Sequence, residues 1–229
     1  GSLYKTMEWY GSAIDNLDLA DRISISNMAI EAGAKAGIIP PDEKVDAYLK
    51  GRVKGSYRPI YSDKDAEFSE TFKYKAAEIK PTVAEPFLPE NAKPAEDVDV
   101  RIDQAYLGSC TNGRIEDMRA AAKIIKGKKV HPEVRMIVVP ASTKIQQQMI
   151  KEGLTDIFIN AGAYVSGPTC GACLGGYMGI LASGEACVST TNRNFIGRMG
   201  DKTSKVYLAN PYVVAASAIT GKITDPNEL

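Results

Sequence analysis

From Gln104 onward the chain alternates between two hydrophobic rhythms. Short, largely apolar runs predict strands over 104–107, 134–139, 156–160, 186–189 and 205–208. Segments with apolar residues three and four apart predict helices over 115–125, 143–152, 174–181 and 211–219. Strand and helix in alternation predict an α/β domain with a mostly parallel sheet covered by helices, and in such sheets ligands gather at the carboxyl ends of the strands. The first hundred residues are less regular. One helix is predicted over 20–37, with apolar Ile23, Met28, Ile30 and Ala34, a second over 41–49, and an alternating strand over 72–79. Within the first helix Asn27 and Glu31 stand four apart and so share a face. Prolines at 81, 86, 89 and 94, with several glutamates, make 80–99 the expected linker between a partial domain over 1–95 and a second domain over 96–229. Gly1-Ser2 reads as an added remnant, so the chain is expected to be a piece of something longer.

Composition narrows the function classes. Lys plus Arg equals Asp plus Glu at 28 each, so no global field favours nucleic acid or an anionic membrane, and an anionic substrate must be met by a few local arginines. No apolar run approaches the roughly 20 residues needed to span a bilayer, and a cytoplasmic protein is expected. Four cysteines are too sparse for a secreted disulfide scaffold and read as reduced, either metal ligands or core residues. With a single histidine, His131 in a basic stretch beside a proline, the chain cannot build a His-based triad or a multi-histidine zinc centre.

The chemistry concentrates in three short segments. Cys110 lies in Gly108-Ser109-Cys110-Thr111-Asn112-Gly113, just after a predicted strand. Cys170 and Cys173 lie in Pro168-Thr169-Cys170-Gly171-Ala172-Cys173, at the expected start of a helix, where unpaired N–H groups favour a thiolate. Three thiolates can hold an iron–sulfur cluster and leave one iron without a protein ligand, a Lewis acid for a substrate oxygen. Half a zinc site or a dithiol redox pair also fits a lone Cys-x-x-Cys. Cys187 stands alone in an alternating stretch and reads as a small buried residue. Arg193 and Arg198, five apart in Thr191-Asn192-Arg193-Asn194-Phe195-Ile196-Gly197-Arg198, are either solvated charges or a fork for carboxylates.

With these residues in hand the sequence resembles the aconitase superfamily, and within it the large subunits of the 3-isopropylmalate dehydratase and homoaconitase branch. The resemblance rests on Gly108-Ser109-Cys110-Thr111-Asn112, Cys170-Gly171-Ala172-Cys173, Asn192-Arg193-Asn194-Phe195-x-Gly197-Arg198 and Ile25-Ser26-Asn27-Met28-Ala29-Ile30-Glu31-Ala32-Gly33, in family order. It implies a three-layer αβα domain with a mostly parallel sheet, preceded by part of a second α/β domain. It also implies a [4Fe–4S] cluster on Cys110, Cys170 and Cys173, with Arg193 and Arg198 on substrate carboxylates and Asn27, Glu31 and Asn192 around the cluster. The implied activity is a hydro-lyase that moves a hydroxyl of a hydroxy di- or tricarboxylic acid by dehydration and rehydration, in leucine or lysine/2-oxoacid biosynthesis. A separate small subunit is expected to supply the base and the substrate preference. Family large subunits begin with a domain carrying further histidines and aspartates, and nothing like it precedes Leu3. A truncated large subunit, inactive alone, is therefore expected. The alternative is a non-catalytic zinc-binding or iron-sensing protein.

Overall fold

A computed structural model describes residues 2–229; Gly1, the first of the two residues expected to be a remnant, lies outside the described residues. The chain forms two compact units, one ending at Ile79 and one running from Lys80 to Leu229.

In the first unit, β1 (Thr6–Glu8) leads through α1 (Ser12–Asn16) and α2 (Leu19–Met28) to β2 (Ala36–Ile38), which pairs with β1 in parallel, and then to α3 (Glu43–Leu49). The helix expected over 20–37 is thus shorter. After Met28 it tightens into a 3₁₀ turn, Ala29–Ala32, stopped by Gly33 in the left-handed conformation. The strand expected over 72–79 is absent: residues 50–80 are all exposed, and an alternating pattern without a partner strand makes no sheet.

One buried ion pair braces this unit. Arg22 is only 3% exposed and reaches Asp42 Oδ2 with Nη2 at 2.7 Å, while the same nitrogen donates to the Asp15 carbonyl at 2.9 Å. Asp42 also caps α3, its Oδ1 accepting from the backbone N–H of Lys44 and Val45. The Arg22 hydrogen bond, joined by the cap bonds, holds the Asp42 carboxyl below the usual carboxylate range. Asp42→Ala would strand a buried guanidinium and uncap a helix, and we expect it to destabilise this unit by about 3 kcal/mol. Because the folded pKa is depressed, this contribution is fully present above an unfolded carboxyl pKa of about 4 and disappears as pH falls through the folded value. Thermal melts of both proteins between pH 7 and pH 2 should converge at the acid end; a constant gap would contradict this account.

The second unit is built on seven strands. In chain order they are β3 (Thr82–Ala84), β4 (Ala92–Pro94), β5 (Gln104–Gly108), β6 (Arg135–Val139), β7 (Tyr164–Val165), β8 (Ala186–Ser189) and β9 (Lys205–Ala209), with α4 (Ile115–Ile125), α5 (Thr143–Lys151), α6 (Leu154–Ala161) and α7 (Pro211–Thr220) between or after them. The sheet order is β4-β3-β9-β8-β5-β6-β7; β9 through β7 run parallel, and β3 and β4 extend the β9 edge antiparallel. Residues 80–99, expected as a linker, therefore supply two strands. Their prolines suit the position, since Pro94 ends the outermost strand, where a missing N–H is tolerated.

The stretch 156–160, expected as a strand, is instead the middle of α6. Its buried residues Leu154, Phe158 and Ala161 recur at helical spacing, and left-handed Gly153 and Gly162 bracket it. On one face of the sheet Ala105, Leu107 and Val188 pack against Met118 of α4, Phe158 of α6 and Val214 of α7. Fully burying a side chain of that size stabilises by about 1.5–3 kcal/mol. On the other face Tyr106, Ile137, Val139 and Leu208 meet Ala172, Leu181 and Met199, which belong to turns and loops instead of a helix.

The connections define where a ligand would sit. From β5 the chain moves outward to β6 and β7, then returns past β5 to lay down β8 and β9 on its other side. The carboxyl ends of β5 and β8 therefore flank the topological switch point, the crevice where open α/β sheets bind ligands.

Candidate metal centre

Cys110 follows β5 at this switch point, and steric need shapes its loop. Gly108 ends the strand at φ 118°, and a Cβ there would lie 1.9 Å from the Val139 carbonyl oxygen of the neighbouring strand. At Gly113, where the loop closes, a Cβ would lie 2.5 Å from the Ser109 carbonyl oxygen. Between them the Asn112 N–H donates to Ser109 Oγ at 3.2 Å, folding Ser109–Asn112 into a tight turn that presents Cys110 exposed. Its Sγ lies 3.7 Å from Thr111 Oγ1.

Cys170 and Cys173 come from the loop after β7. Cys170 is exposed and opens a 3₁₀ turn, Gly171–Leu174; Cys173 is half-buried, its N–H donating to the Cys170 carbonyl at 3.0 Å. The helix expected over 174–181 does not form, because Gly175 turns left-handed at φ 72° and two more glycines follow. The turn rests on the sheet instead: the hydroxyl of fully buried Tyr106, on β5, donates to the Cys170 carbonyl at 3.3 Å. Helix N-terminal stabilisation of these thiolates, expected from the sequence, gives way to support from the central strand.

The loop after β8 brings the remaining groups. Asn192 is 4% exposed and its Oδ1 accepts from Asn112 Nδ2 at 3.4 Å, tying this loop to that of Cys110; half-buried Arg193 follows directly. Arg198 is half-buried, with its Nε enclosed and lacking a hydrogen-bond partner. Burial pushes the Cys173 thiol up; the hydrogen-bonded Arg198 guanidinium pulls it down, and neighbouring Cys110 and Cys170 add to the rise. The three thiols and Arg198 thus share one electrostatic neighbourhood.

Cys187 has a different character. It is fully buried on β8 beside Gln104, and burial drives its thiol up to about 12. In the native chain at pH 8 we expect iodoacetamide to modify Cys187 at least about 100-fold more slowly than Cys110 or Cys170, as peptide-resolved mass spectrometry would measure. Comparable rates would show that the core opens more readily than this packing allows.

Asn27 and Glu31 belong to the first unit. Asn27 is exposed near the end of α2, and Glu31 is half-buried in the following 3₁₀ turn. The winding tightens after Met28, so Glu31 follows Asn27 in a 3₁₀ turn instead of a continuous α-helix. Sequence reasoning passed over Tyr106 and Thr190 as supports; the only available cue was that Tyr106 lies in the strand before the Cys110 motif and Thr190 lies between β8 and the Asn192 motif.

Among the described residues no group of three or more His, Cys, Asp or Glu side chains is arranged to hold a metal ion. A cubane cluster asks for a different arrangement, because each thiolate binds its own iron at a separate corner. Three sulfur donors, one on the loop after β5 and two on the turn after β7, close enough to shift the ionisation of Cys173, fit that requirement.

A mostly parallel α/β sheet with cysteine-bearing loops beyond the carboxyl ends of its strands defines the class, and comparison with known proteins agrees. The model of the Aconitase family (aconitate hydratase) matches residues 1–99 and 92–221, and the chain belongs to this family. Among individual relatives, the 3-isopropylmalate dehydratase large subunit of Halothermothrix orenii is 57% identical over 230 residues, covering 100% of this chain and 55% of the relative. That of Aquifex aeolicus is 56% identical, and 3-isopropylmalate dehydratase large subunit 1 of Pyrococcus furiosus is 54% identical, each over 100% of this chain. The chain spans about half the length of the curated relatives it matches. Among the described residues no helix is long and apolar enough to cross a membrane.

Proposed function

We propose that this chain is the cluster-bearing part of the large subunit of an aconitase-type hydro-lyase, acting on a hydroxy acid of the isopropylmalate or homocitrate/homoaconitate type in leucine or lysine/2-oxoacid biosynthesis in the cytoplasm. What supports the reading is that the Cys110 loop follows β5, that the Cys170–Cys173 turn rests on Tyr106 of the same strand, and that Arg198 is hydrogen-bonded to Cys173. In this reading Cys110, Cys170 and Cys173 hold a [4Fe–4S] cluster. Bound there, it supplies one iron open to a substrate oxygen, a Lewis acid for a departing hydroxyl.

The chain's own residues supply recognition and order. Arg193 and Arg198 offer planar donor forks for substrate carboxylates, and the unpartnered Nε of Arg198 is a buried donor that a bound anion would satisfy. Asn192, held by Asn112, presents an amide at the rim of the same crevice. Asn27 and Glu31, from the first unit, are the further polar groups assigned to the cluster's surroundings. The first unit corresponds to part of the second aconitase-type domain. The second, with its boundary moved from residue 95 to Lys80, corresponds to the third. A separate small subunit brings the proton-abstracting base and the substrate preference, and the chain alone is inactive because the remainder of the large subunit completes the pocket.

Anaerobic reconstitution with iron and sulfide is the test. About four irons per chain with a broad absorption near 400 nm supports the cluster, and zinc uptake alone would favour a non-catalytic metal protein. Assay of a full-length large subunit with its small subunit on isopropylmalate and homoaconitate, beside this chain, addresses activity. Turnover by the chain on its own would overturn the assignment of inactivity.

A further inference from the structure

We propose that Thr190 and Asn112 form a side-chain clasp across the switch point that positions the Cys110 loop, and that Thr190 is the positioning residue at its centre. The inference rests on the cluster reading only for the identity of what Cys110 holds.

The argument starts from the ladder between β5 and β8. Their pairing runs Gln104 with Cys187, Ala105 with Val188 and Tyr106 with Ser189, and there it stops. The strands must part beyond this point, or no crevice could open between the loops that follow. Parting leaves peptide groups at the end of β5 facing a strand that has turned away, and buried peptide groups need partners. Thr190 replaces the missing rungs. Its N–H donates to the Tyr106 carbonyl at 3.0 Å, the last backbone link. Its hydroxyl accepts the Gly108 N–H at 2.7 Å and lies 3.1 Å from the Gly108 carbonyl, to which it donates. In the reverse direction Asn112 Nδ2 donates to the Thr190 carbonyl at 2.6 Å. The loop Ser109–Thr111, carrying Cys110, is thereby pinned at both ends to residue 190. Thr190 is 2% exposed and Gly108 is also buried, so water cannot take over these bonds.

The geometry asks for a hydroxyl that both accepts and donates. Valine matches the shape of threonine but offers neither acceptor nor donor, whereas serine keeps the hydroxyl and loses one methyl. The pair of variants therefore separates the clasp from packing.

The closing experiment uses the 229-residue chain in two arms. In the metal-free arm, hydrogen exchange read by mass spectrometry should show faster exchange in Thr190→Val, at least about tenfold at the Gly108–Asn112 segment, with α4 and α7 unchanged and with Thr190→Ser close to the parent. Exchange at Gly108–Asn112 that is unaltered in Thr190→Val, or equally raised in Thr190→Ser, would overturn the clasp. In the second arm, anaerobically reconstituted proteins are challenged with an iron chelator. Thr190→Val should bleach at least about tenfold faster than the parent, with an altered electron paramagnetic resonance line shape after reduction, and Thr190→Ser should restore both. Equal bleaching rates and identical line shapes in all three would overturn the positioning role even if exchange differed. If the parent itself takes up no iron, the cluster reading fails, and the metal-free arm still decides whether the clasp exists.

Discussion

Exchanging Gly108 for alanine is expected to destabilise the second unit by roughly 3 kcal/mol or more and to abolish iron uptake. Two penalties coincide at this residue. At φ 118° the backbone takes a shape that side chains resist, and the added methyl would sit 1.9 Å from the Val139 carbonyl oxygen, which belongs to the paired strand. Neither atom is the end of a flexible side chain. Relief requires β5 to withdraw from β6 at the centre of the sheet, or Gly108 to rotate and carry the Cys110 loop with it. Gly127→Ala provides the control: φ there is 76°, with nothing within 4 Å of the added methyl, so conformational strain acts alone and costs about 1 kcal/mol. Urea unfolding of both variants against the parent makes the comparison. Equal losses of stability would mean that the approach of β5 to β6 is looser than described.

The second large effect concerns the ligand set. Under the proposed function, Cys110→Ala, Cys170→Ala and Cys173→Ala should each lose most of the roughly four irons taken up by the parent, since two thiolates hold a cluster poorly. Cys187→Ala should keep them, because that thiol is sealed in the β8 core. Iron and sulfide analysis after anaerobic reconstitution gives the answer directly. Full iron content in any of the first three variants would remove that cysteine from the ligand set, and loss in Cys187→Ala would redraw the site.

Much of the second unit could be read in the chain. The helix over 115–125 and the strands ending at Val139 and Ser189 emerge where expected, because their patterns are long or bounded by clear turns. Two of three misreadings have one origin: the deciding partner lies far away in sequence. Residues 156–160 hold the short apolar run Ile157-Phe158-Ile159 that reads like a strand, yet Phe158 is buried with Leu107 and Met118, a packing that helical geometry satisfies here. Residues 80–99 are proline-rich like a linker, but β9, more than 100 residues later, provides β3 with an edge to pair with. The stretch 174–181 has helical apolar spacing, and its glycines prevail. At the site the motifs pick out Cys110, Cys170, Cys173, Asn192, Arg193 and Arg198. They say nothing of how the loops are held. Thr190 makes its contribution through strands that part, and Tyr106 through a hydroxyl beneath a turn, and neither is written in local spacing.

The unequal covering of the sheet bears on any attempt to re-engineer this protein. One face is roofed by helices, whereas Ala172, Leu181 and Met199, from the same turns that carry Cys170, Cys173 and Arg198, roof the other. Residues such as Ile137 and Val206 are therefore at once hydrophobic core and foundation of the proposed metal site. Under the proposed function, a library aimed at thermostability that repacks this layer is expected to shift cluster affinity with it, whereas one confined to the α4/α7 side can be screened for stability alone.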